Sequence, residues 1–416
     1  MRKKTSIIVI ILVAVVLILA QQADKLRLLQ AGKLEQFVEN GEIVKRLNDD
    51  IHFRKGKVDL FCQIAYWYEN RNQANFIEDV KVTKDSITLT SDSLVYFTDK
   101  NIIRAYGNPV MEDSSGRISA DTLIYYVDEE LFFCHGNVQL KQKNRNLSSK
   151  HLTYFADQKK TVATHQAIMK NKENFTNLAS DSIIYFNDEK VIRAFLDPVL
   201  TKKDTASESE TKIFGAQING GDKKGRFTVL KNVRIIRDEM EAYADHAEYS
   251  DSTDQITLTG NPHVINDGRD IYGDKIIAQL KNGNIKHVNI AGNAIASSTN
   301  WYYLPASDSV AAKSDSSQIA KGDSIKTRDE MTGNIMDIYF RNGNTDSIRV
   351  SGMATSYYNV AQDSIIKGTN QASGDTLIMH FDSLKNNQSR LHKITVAGGT
   401  EGNFTPHESN AEMDTS

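Results

Sequence analysis

The segment Ser91–Tyr126 reads "SDSLVYFTDKNIIRAYGNPVMEDSSGRISADTLIYY" and contains one strand pattern twice. Its first six residues, "SDSLVY", return as "ADTLIY", so that Asp92 and Asp121 hold the same position 29 residues apart. Apolar and polar residues alternate in both copies, and a period of two is typical of β-strands with two unlike faces. The segment therefore predicts a β-structured repeat of about 30 residues.

The repeat continues along most of the chain. Copies aligned on the second residue of the motif carry Gln63, Asp92, Asp121, Lys150, Asp181, Asp245, Asp274 and Asp375. The step of 64 from Asp181 to Asp245 is two periods, which predicts a degenerate copy near "GAQING". A second motif, with Gly-Asn at positions such as Gly107-Asn108 and Gly136-Asn137, interleaves with the first. Each period therefore holds two strands, and stacked periods bury apolar faces that one unit cannot bury alone.

The composition excludes several classes of function. The chain has 416 residues, a formal net charge of -3, two cysteines and 10 histidines. No basic excess points to nucleic acid, and Cys62 and Cys134 are too few for a disulfide framework. The histidines are scattered, and no P-loop, Rossmann fingerprint or G-x-S-x-G motif is present. The sequence predicts a non-enzyme with no metal, cofactor or nucleic-acid partner.

The N-terminus carries an export signal. Arg2, Lys3 and Lys4 precede the apolar run Ile7–Ala20, which has the length of a signal-peptide core and is short for a spanning helix. Residues 1–20 are therefore interpreted as a signal peptide or an uncleaved N-terminal anchor. Either reading places the body of the protein outside the cytoplasm.

The pattern also predicts the organisation of the rest of the chain. Residues 21–47 are expected to form a lead-in of short helix or irregular structure, and 48–304 to form the main repeat array. Within that array, the polar stretch 201–212 is expected to be a loop. The Ser-, Asp- and Lys-rich stretch 305–330 predicts a flexible insertion. Further repeats are expected over 331–404, and a disordered tail over 405–416.

Two features of the repeat have alternative interpretations. The recurring Asp is either a ladder of calcium ligands or a polar turn residue whose side chain bonds local backbone. Gln63 and Lys150 replace Asp without breaking the repeat, which favours the turn residue. The recurring Leu and Tyr share one strand face, while the opposite face, with Ile124 and Tyr126, is also apolar. The Leu and Tyr row is either ordinary core or the lining of an apolar groove.

The motifs resemble a known family. "RISADTLIYYVDEELFFCHGNVQL" and "CHGNVQLKQKNRNLSSKHLTYFADQKKTVATHQAIM" are similar to the OstA/LptA domain of lipopolysaccharide transport, over residues 48 to 300 and more weakly 331 to 404. The opening of the array resembles the longer OstA-like proteins of Bacteroidetes-type bacteria.

The resemblance implies an elongated antiparallel β-jellyroll, or β-taco, whose open trough carries the acyl chains of lipopolysaccharide through the periplasm. It also implies end-to-end pairing of open sheet edges with other jellyroll proteins of the transport bridge. The residues expected to line the trough are Leu94, Tyr96, Leu123, Tyr125, Leu152, Tyr154, Ile183 and Tyr185.

Two other classes of protein would give a repeat of short strands. A structural β-solenoid, such as a surface protein or adhesin, would have a closed dry core and bind no lipid; its rungs would be shorter and more uniform. A carbohydrate-active solenoid enzyme would need a cluster of carboxylates on one face, whereas the recurring Asp positions mark turns.

Overall fold

The structure is a computed structural model that describes residues 26–407, apart from 115, 173–175, 204–208, 222–225, 251, 267, 282–283, 306–320, 342, 363 and 384–388. The expected signal or anchor segment, most of the expected insertion and the end of the expected tail lie outside these residues. Every helix or strand assigned in the described residues is a β-strand. These residues include no helix with the length and hydropathy of a membrane span.

The chain divides into two compact units, residues 1–223 and 224–416. The strands of unit 1 are β1 (Arg27–Gln30), β2 (Lys33–Glu39), β3 (Glu42–Lys55), β4 (Val58–Tyr68), β5 (Gln73–Lys84), β6 (Ile87–Phe97), β7 (Ile102–Tyr106), β8 (Val110–Asp113), β9 (Gly116–Ser119), β10 (Thr122–Tyr126), β11 (Leu131–Gln142), β12 (Arg145–Phe155), β13 (Lys160–Asn171), β14 (Thr176–Phe186), β15 (Val191–Phe195), β16 (Val199–Lys203), β17 (Glu210–Phe214) and β18 (Gln217–Gly220).

Unit 2 has the same construction with longer strands near its end. Its strands are β19 (Arg226–Arg237), β20 (Met240–Ser250), β21 (Gln255–Thr259), β22 (His263–Asn266), β23 (Arg269–Tyr272), β24 (Lys275–Lys281), β25 (Asn284–Pro305), β26 (Lys321–Arg341), β27 (Asn344–Gln362), β28 (Ile365–Ser383), β29 (Ser389–Ala397) and β30 (Glu401–Pro406). Among the described residues, the ladders are antiparallel except for one bridge, Tyr303↔Ile365, where the ends of β25 and β28 meet.

A corner bends every repeat in the middle of its strands. The ladder between β11 and β12 shifts register between His135 and Val138, and the two residues at the shift, Gly136 and Asn137, have φ of 74° and 45°. The same pair of left-handed residues recurs in the neighbouring repeats, for example at Gly107 and Asn108. Such a bulge turns the strand sharply, so each long strand contributes one half to each of two walls.

The two walls are defined by their position relative to the corners. In unit 1, wall A contains the halves that carry the Leu and Tyr positions, such as Ser93–Phe97, and wall B contains the other halves, such as Ile87–Ser91. Each wall turns alternate side chains inward. Phe53 of wall B and Phe76 of wall A meet edge to face with ring centroids 5.6 Å apart, so the inner faces pack on each other. The predicted all-β fold of two-strand antiparallel repeats, a β-jellyroll, is confirmed.

The recurring Asp supports the corner. The carboxylate of Asp121 accepts hydrogen bonds from Asn137 Nδ2 at 3.0 and 3.1 Å, and the Asp121 amide donates to the Gly136 carbonyl at 2.9 Å. Asp274 accepts from Asn293 Nδ2 in the same way, at 3.1 and 3.2 Å. The described residues contain no group of three or more His, Cys, Asp or Glu arranged for a metal ion. The Asp side chain thus bonds an Asn side chain of the neighbouring strand at the corner, and not local backbone as the turn interpretation expects. Asp121 and Asp274 directly precede β10 and β24, whereas Asp92 lies within β6.

The prediction that the lead-in forms a short helix or irregular structure is wrong. Residues 27–30, 33–39 and 42–55 are strands, and β2 pairs with β3 from Lys33↔Asn48 to Glu39↔Glu42. The connecting turn has Asn40 and Gly41 at φ of 51° and 78°. An Asn-Gly turn with both residues left-handed is a strong hairpin signal. The mixed charges on either side of the turn made the hairpin hard to recognise in the sequence.

Two other expected loops are partly strand. β16 and β17 pair through Thr201↔Lys212, so only 204–208 of the expected loop 201–212 lies outside the described residues. Residues 321–330 of the expected insertion belong to β26, which pairs with β25. A polar segment can still form a strand when the side chains on both of its faces remain exposed, or when it extends a long ladder.

The degenerate copy near "GAQING" is confirmed. Ile218 is buried at 2% exposure and pairs with Ala194 of β15. One further copy has no counterpart in the sequence alignment. Asn334 replaces Asp there and lies against Gly352, whose φ is 76°.

Candidate functional site: the inner face of unit 1

Two rows of side chains run across the strands on the inner face of wall A. The first row follows the Leu position, where Leu94 pairs with Ala105 and Ala105 with Leu123. The second follows the Tyr position, where Tyr96 pairs with Ile103 and Ile103 with Tyr125. Both rows continue through Leu152 and Tyr154 to Ile183 and Tyr185. Antiparallel ladders place directly opposed residues side by side on one face, which makes each row continuous.

All eight residues expected to line a trough lie in these rows and point inward. None is more than 8% exposed; Leu152 and Tyr154 are 0% exposed. In the Leu row, the large side chains of one motif alternate with small ones of the other, namely Ala105, Cys134, Ala163 and Ala194. Alternation of large and small residues lets opposed layers interdigitate. The inner face is therefore a dense apolar surface, filled by its own side chains.

The opposite face of the same strands differs in exposure and in partners. Val95, Ile124 and Ile184 are half-buried there. Cations lie over its aromatic rings: the guanidinium carbons of Arg104 and Arg193 are 5.3 and 4.9 Å from the ring centroids of Phe97 and Phe186. Cation–π contacts of this kind are favourable at exposed sites. The Leu and Tyr row is thus the inner row of wall A.

Wall B supplies the facing half of the inner surface. Its main row pairs Leu89 with Met111, Met111 with Ile118 and Ile118 with Leu140, and then continues to Leu147 and Met169. Sequence reasoning did not select these residues, because the trough residues were taken from one motif of the repeat. The alternation in "SITLTSD" or "GRISAD", upstream of each Asp, is the signal that would have found them.

The inner face also holds polar atoms without partners. The hydroxyls of Tyr154 and Thr161, which are cross-strand neighbours, are buried and have no hydrogen-bond partner among the described residues. Burial raises the pKa of Tyr154 to about 12 and also raises the pKa of Tyr125 and Tyr96. An unpaired buried hydroxyl is destabilising by about 1 to 3 kcal/mol. A ligand that formed a hydrogen bond with it would remove this destabilisation.

A small recess opens where the walls end opposite the corners. It is lined by Leu140, Gln142, Arg145, Leu147, Thr161, Met169 and Tyr185, so both walls contribute. The guanidinium carbon of Arg145 lies 5.2 Å from the ring centroid of Tyr185 across the opening. The recess thus has an apolar floor and one cation at its rim.

The chain matches a known family model. The model is described as LptA/(LptD N-terminal domain) LPS transport protein, and its two matches cover residues 65–160 and 117–284, together more than half of the chain. The matched segment contains all eight inner-row residues expected from the sequence. No curated protein matches the chain.

A solved structure of the same family shows limited likeness. The crystal structure of LptH, the LptA homologous periplasmic component of the conserved lipopolysaccharide transport device from Pseudomonas aeruginosa, is 16% identical. The match covers 33% of this chain and 82% of LptH, with a TM-score of 0.18.

Proposed function

Since the chain belongs to the family of LptA and LptD N-terminal-domain lipopolysaccharide transport proteins, we propose that it is a periplasmic protein that binds lipopolysaccharide between the two walls of its jellyroll. The acyl chains lie along the inner rows, and the protein carries the glycolipid toward the outer membrane. The task needs a continuous apolar path and no catalytic group. Residues 1–20 direct the export of the protein. They are then either cleaved off or retained as an anchor in the inner membrane.

The observation that carries the proposal is the continuity of the inner rows. From Leu94 to Ile183 and from Tyr96 to Tyr185, every cross-strand step on wall A joins side chains that are buried. Burial of an acyl chain contributes about 0.8 kcal/mol per methylene, which a continuous apolar surface can supply over a long chain. Because the inner faces pack on each other, loading requires the walls to separate.

Sheet edges support the second part of the proposal, assembly with other jellyroll proteins. Strands β1 and β2 pair only with β3 among the described residues, which leaves one edge open. Leu34 and Val38 belong to the inner face at this edge, and their exposures are 61% and 71%. An open edge with exposed apolar side chains favours strand addition. We propose that this edge receives the edge strand of a partner jellyroll.

The close packing of the inner faces favours one alternative. A structural β-solenoid would have a permanently closed core, and the 0% exposure of Leu152 and Tyr154 is what such a core would show. The two functions differ in whether lipid enters between the walls.

Site-specific photo-crosslinking of the full chain to lipopolysaccharide tests the proposal. One variant carries a photoreactive phenylalanine analogue at Tyr125 on the inner face, and the matched control carries it at Ile124 on the outer face. We expect a lipopolysaccharide adduct at 125 and none at 124. An adduct only at 124 would mean that lipid contacts the outside of wall A. A folded protein with no adduct at either position would support the closed structural solenoid.

A further inference from the structure

The trough of unit 1 has two unlike lips. Each wall ends in hairpin turns on the side opposite the corners. The turns of wall A form lip A, and the turns of wall B form lip B. Neighbouring turns are joined along each lip: the Ala156 amide donates to the Glu130 carbonyl at 3.2 Å on lip A, and the Lys172 amide donates to the Asn144 carbonyl at 2.9 Å on lip B. Successive turns are therefore held side by side, and charges of one sign on neighbouring turns add up.

Lip B is basic around the recess. Two consecutive turns place Lys141, Lys143 and Arg145 beside Lys170 and Lys172. The four lysines are exposed, and no carboxylate of the described residues forms an ion pair with any of these five cations. A line of unpaired cations beside an apolar recess creates a local positive potential that attracts anions.

Lip A carries mixed charges opposite this stretch. Arg145 of lip B contacts the ring of Tyr185, so the facing turns of lip A are 156–159 and 187–190, in which Asp157, Asp188 and Glu189 accompany Lys159 and Lys190. Lys159 Nζ pairs with Asp188 Oδ2 at 3.0 Å, and Lys160 Nζ lies 4.4 Å from the ring centroid of Phe155. The cations of lip A are therefore offset by nearby carboxylates, whereas no described carboxylate pairs with those of lip B, and an anionic ligand would be oriented toward lip B.

The recess joins the basic lip to the inner rows. Arg145 stands at its rim, Leu140, Leu147 and Met169 form its apolar lining, and the Thr161 hydroxyl inside it has no partner among the described residues. The recess thus brings together a cation at its rim, an unpaired hydroxyl and hydrocarbon. An amphiphile with an anionic head, a polar linkage and acyl chains carries groups that suit all three.

We infer that lip B binds the phosphate groups of the glycolipid headgroup through Arg145, Lys141, Lys143, Lys170 and Lys172. The acyl chains then descend past Thr161 into the inner rows, and lip A faces the uncharged side of the head. This inference rests on the proposed function, since it assigns the orientation of the lipid in the same trough. Phosphate suits the site because guanidinium and ammonium groups bind it by charge-assisted hydrogen bonds.

The test compares two lipids and two matched variants of the full chain. The lipids are bisphosphorylated lipid A and the same lipid A after enzymatic removal of both phosphates. The lip B variant carries Lys→Gln at 141, 143, 170 and 172, and the lip A control carries Lys→Gln at 100, 159, 160 and 190. We expect the Kd of the lip B variant for phosphorylated lipid A to rise about tenfold, with a weaker salt dependence. Its Kd for dephosphorylated lipid A, and both Kd values of the control, should stay within about twofold.

Two further variants refine the result. Lys→Arg at the four lip B positions should restore binding, because it keeps the charge, and Arg145→Gln should weaken binding of phosphorylated lipid A alone. If the lip B Lys→Gln variant does not fold, the Arg145→Gln variant decides the question. Equal losses for both lipids, or equal effects of both lip variants, would overturn the inference.

The outcomes separate this inference from the proposed function. If neither lipid forms an adduct at the Tyr125 probe, the proposed function fails and the inference fails with it. If both lipids form the adduct and no lip variant changes the Kd, only the inference fails. Binding of anionic phosphatidylglycerol vesicles that depends on lip B, without any effect on lipid A, would make lip B a membrane contact and would also overturn it.

Discussion

The carboxylate of Asp121 occupies the space that a side chain at Gly136 would need. A Cβ built on Gly136 would lie 2.0 Å from Asp121 Oδ2, and Gly136 has φ of +74°. The same relationship joins Asp92 to Gly107, Asp245 to Gly260 and Asp274 to Gly292. At the corner opposite Lys150 the first left-handed residue is His165 instead. The paired Asp and Gly motifs of the sequence are thus two halves of one corner.

Gly136→Ala should destabilise unit 1 by about 3 kcal/mol, because it combines left-handed strain with a steric clash. Asp121→Ala alone should cost about 1 kcal/mol through its lost hydrogen bonds, and the double variant should cost less than the sum of the two single variants. Urea denaturation of the four proteins measures this coupling. The control is Gly41→Ala, where φ is similar at +78° but no atom lies within 4 Å of the added Cβ; it should cost about 1 kcal/mol. Additive effects at 121 and 136 would contradict the clash.

The repeat and the strand class could be predicted from the sequence, because period-two alternation reports directly on a half-buried strand. Tyr125 and Ile124 are both apolar in sequence, so alternation alone left the inner face undecided. The structure separates them, with Tyr125 at 1% exposure and Ile124 half-buried.

The corner, wall B and the lips could not be predicted from the alternation of apolar and polar residues alone. A corner depends on register between strands that are paired in space, and the motif alone suggested that Asp opened a strand. Met111 and Leu140 become part of the site only because the bend folds their half of the strand over wall A. Lys141 and Lys170 are 29 residues apart and join one lip only because successive turns stack.

Inner and outer residues of the same strand should differ strongly in their contribution to stability. Leu152→Ala should lower the free energy of unfolding by about 3 kcal/mol, since Leu152 is 0% exposed and its removal leaves a cavity. Thr153→Ala, the neighbour on the outer face, should cost under about 1 kcal/mol. Urea denaturation with both variants provides the comparison. Equal costs would mean that the walls are already separated in solution.

Three histidines on the outer face of wall A should make stability depend on pH. His135 Nδ1 and His151 Nδ1 are 2.9 Å apart, and the rings of His151 and His165 are 4.8 Å apart. Burial, followed by the charges of His135, His165 and Lys150, lowers the pKa of His151 below its ordinary value of 6.5. The unfolded chain therefore binds a proton at His151 before the folded chain does, and stability falls as the pH drops below about 6.5.

His151→Gln should flatten this decline between about pH 6.5 and pH 5. His380→Gln, at an exposed position on β28 outside the cluster, serves as the control and should leave the pH profile unchanged. Thermal denaturation at half-unit steps of pH gives the measurement. A wild-type profile that stays level over this range, or that His151→Gln does not alter, would show that the three rings separate when they are protonated.

The open edge at β2 should control association between copies of the chain. Leu34→Lys with Val38→Lys places two charges on the exposed inner face of the edge strand, where charged side chains oppose strand addition. We expect sedimentation velocity at rising protein concentration to show oligomers for the wild type and monomers for this variant. The matched control is Leu196→Lys with Met353→Lys. It replaces apolar side chains that are 63% and 75% exposed at corners and belong to neither β1 nor β2, and should associate like the wild type. Monomeric wild type would limit this edge to unlike partners, whereas oligomers that persist in the Leu34 and Val38 variant would place self-association on another surface.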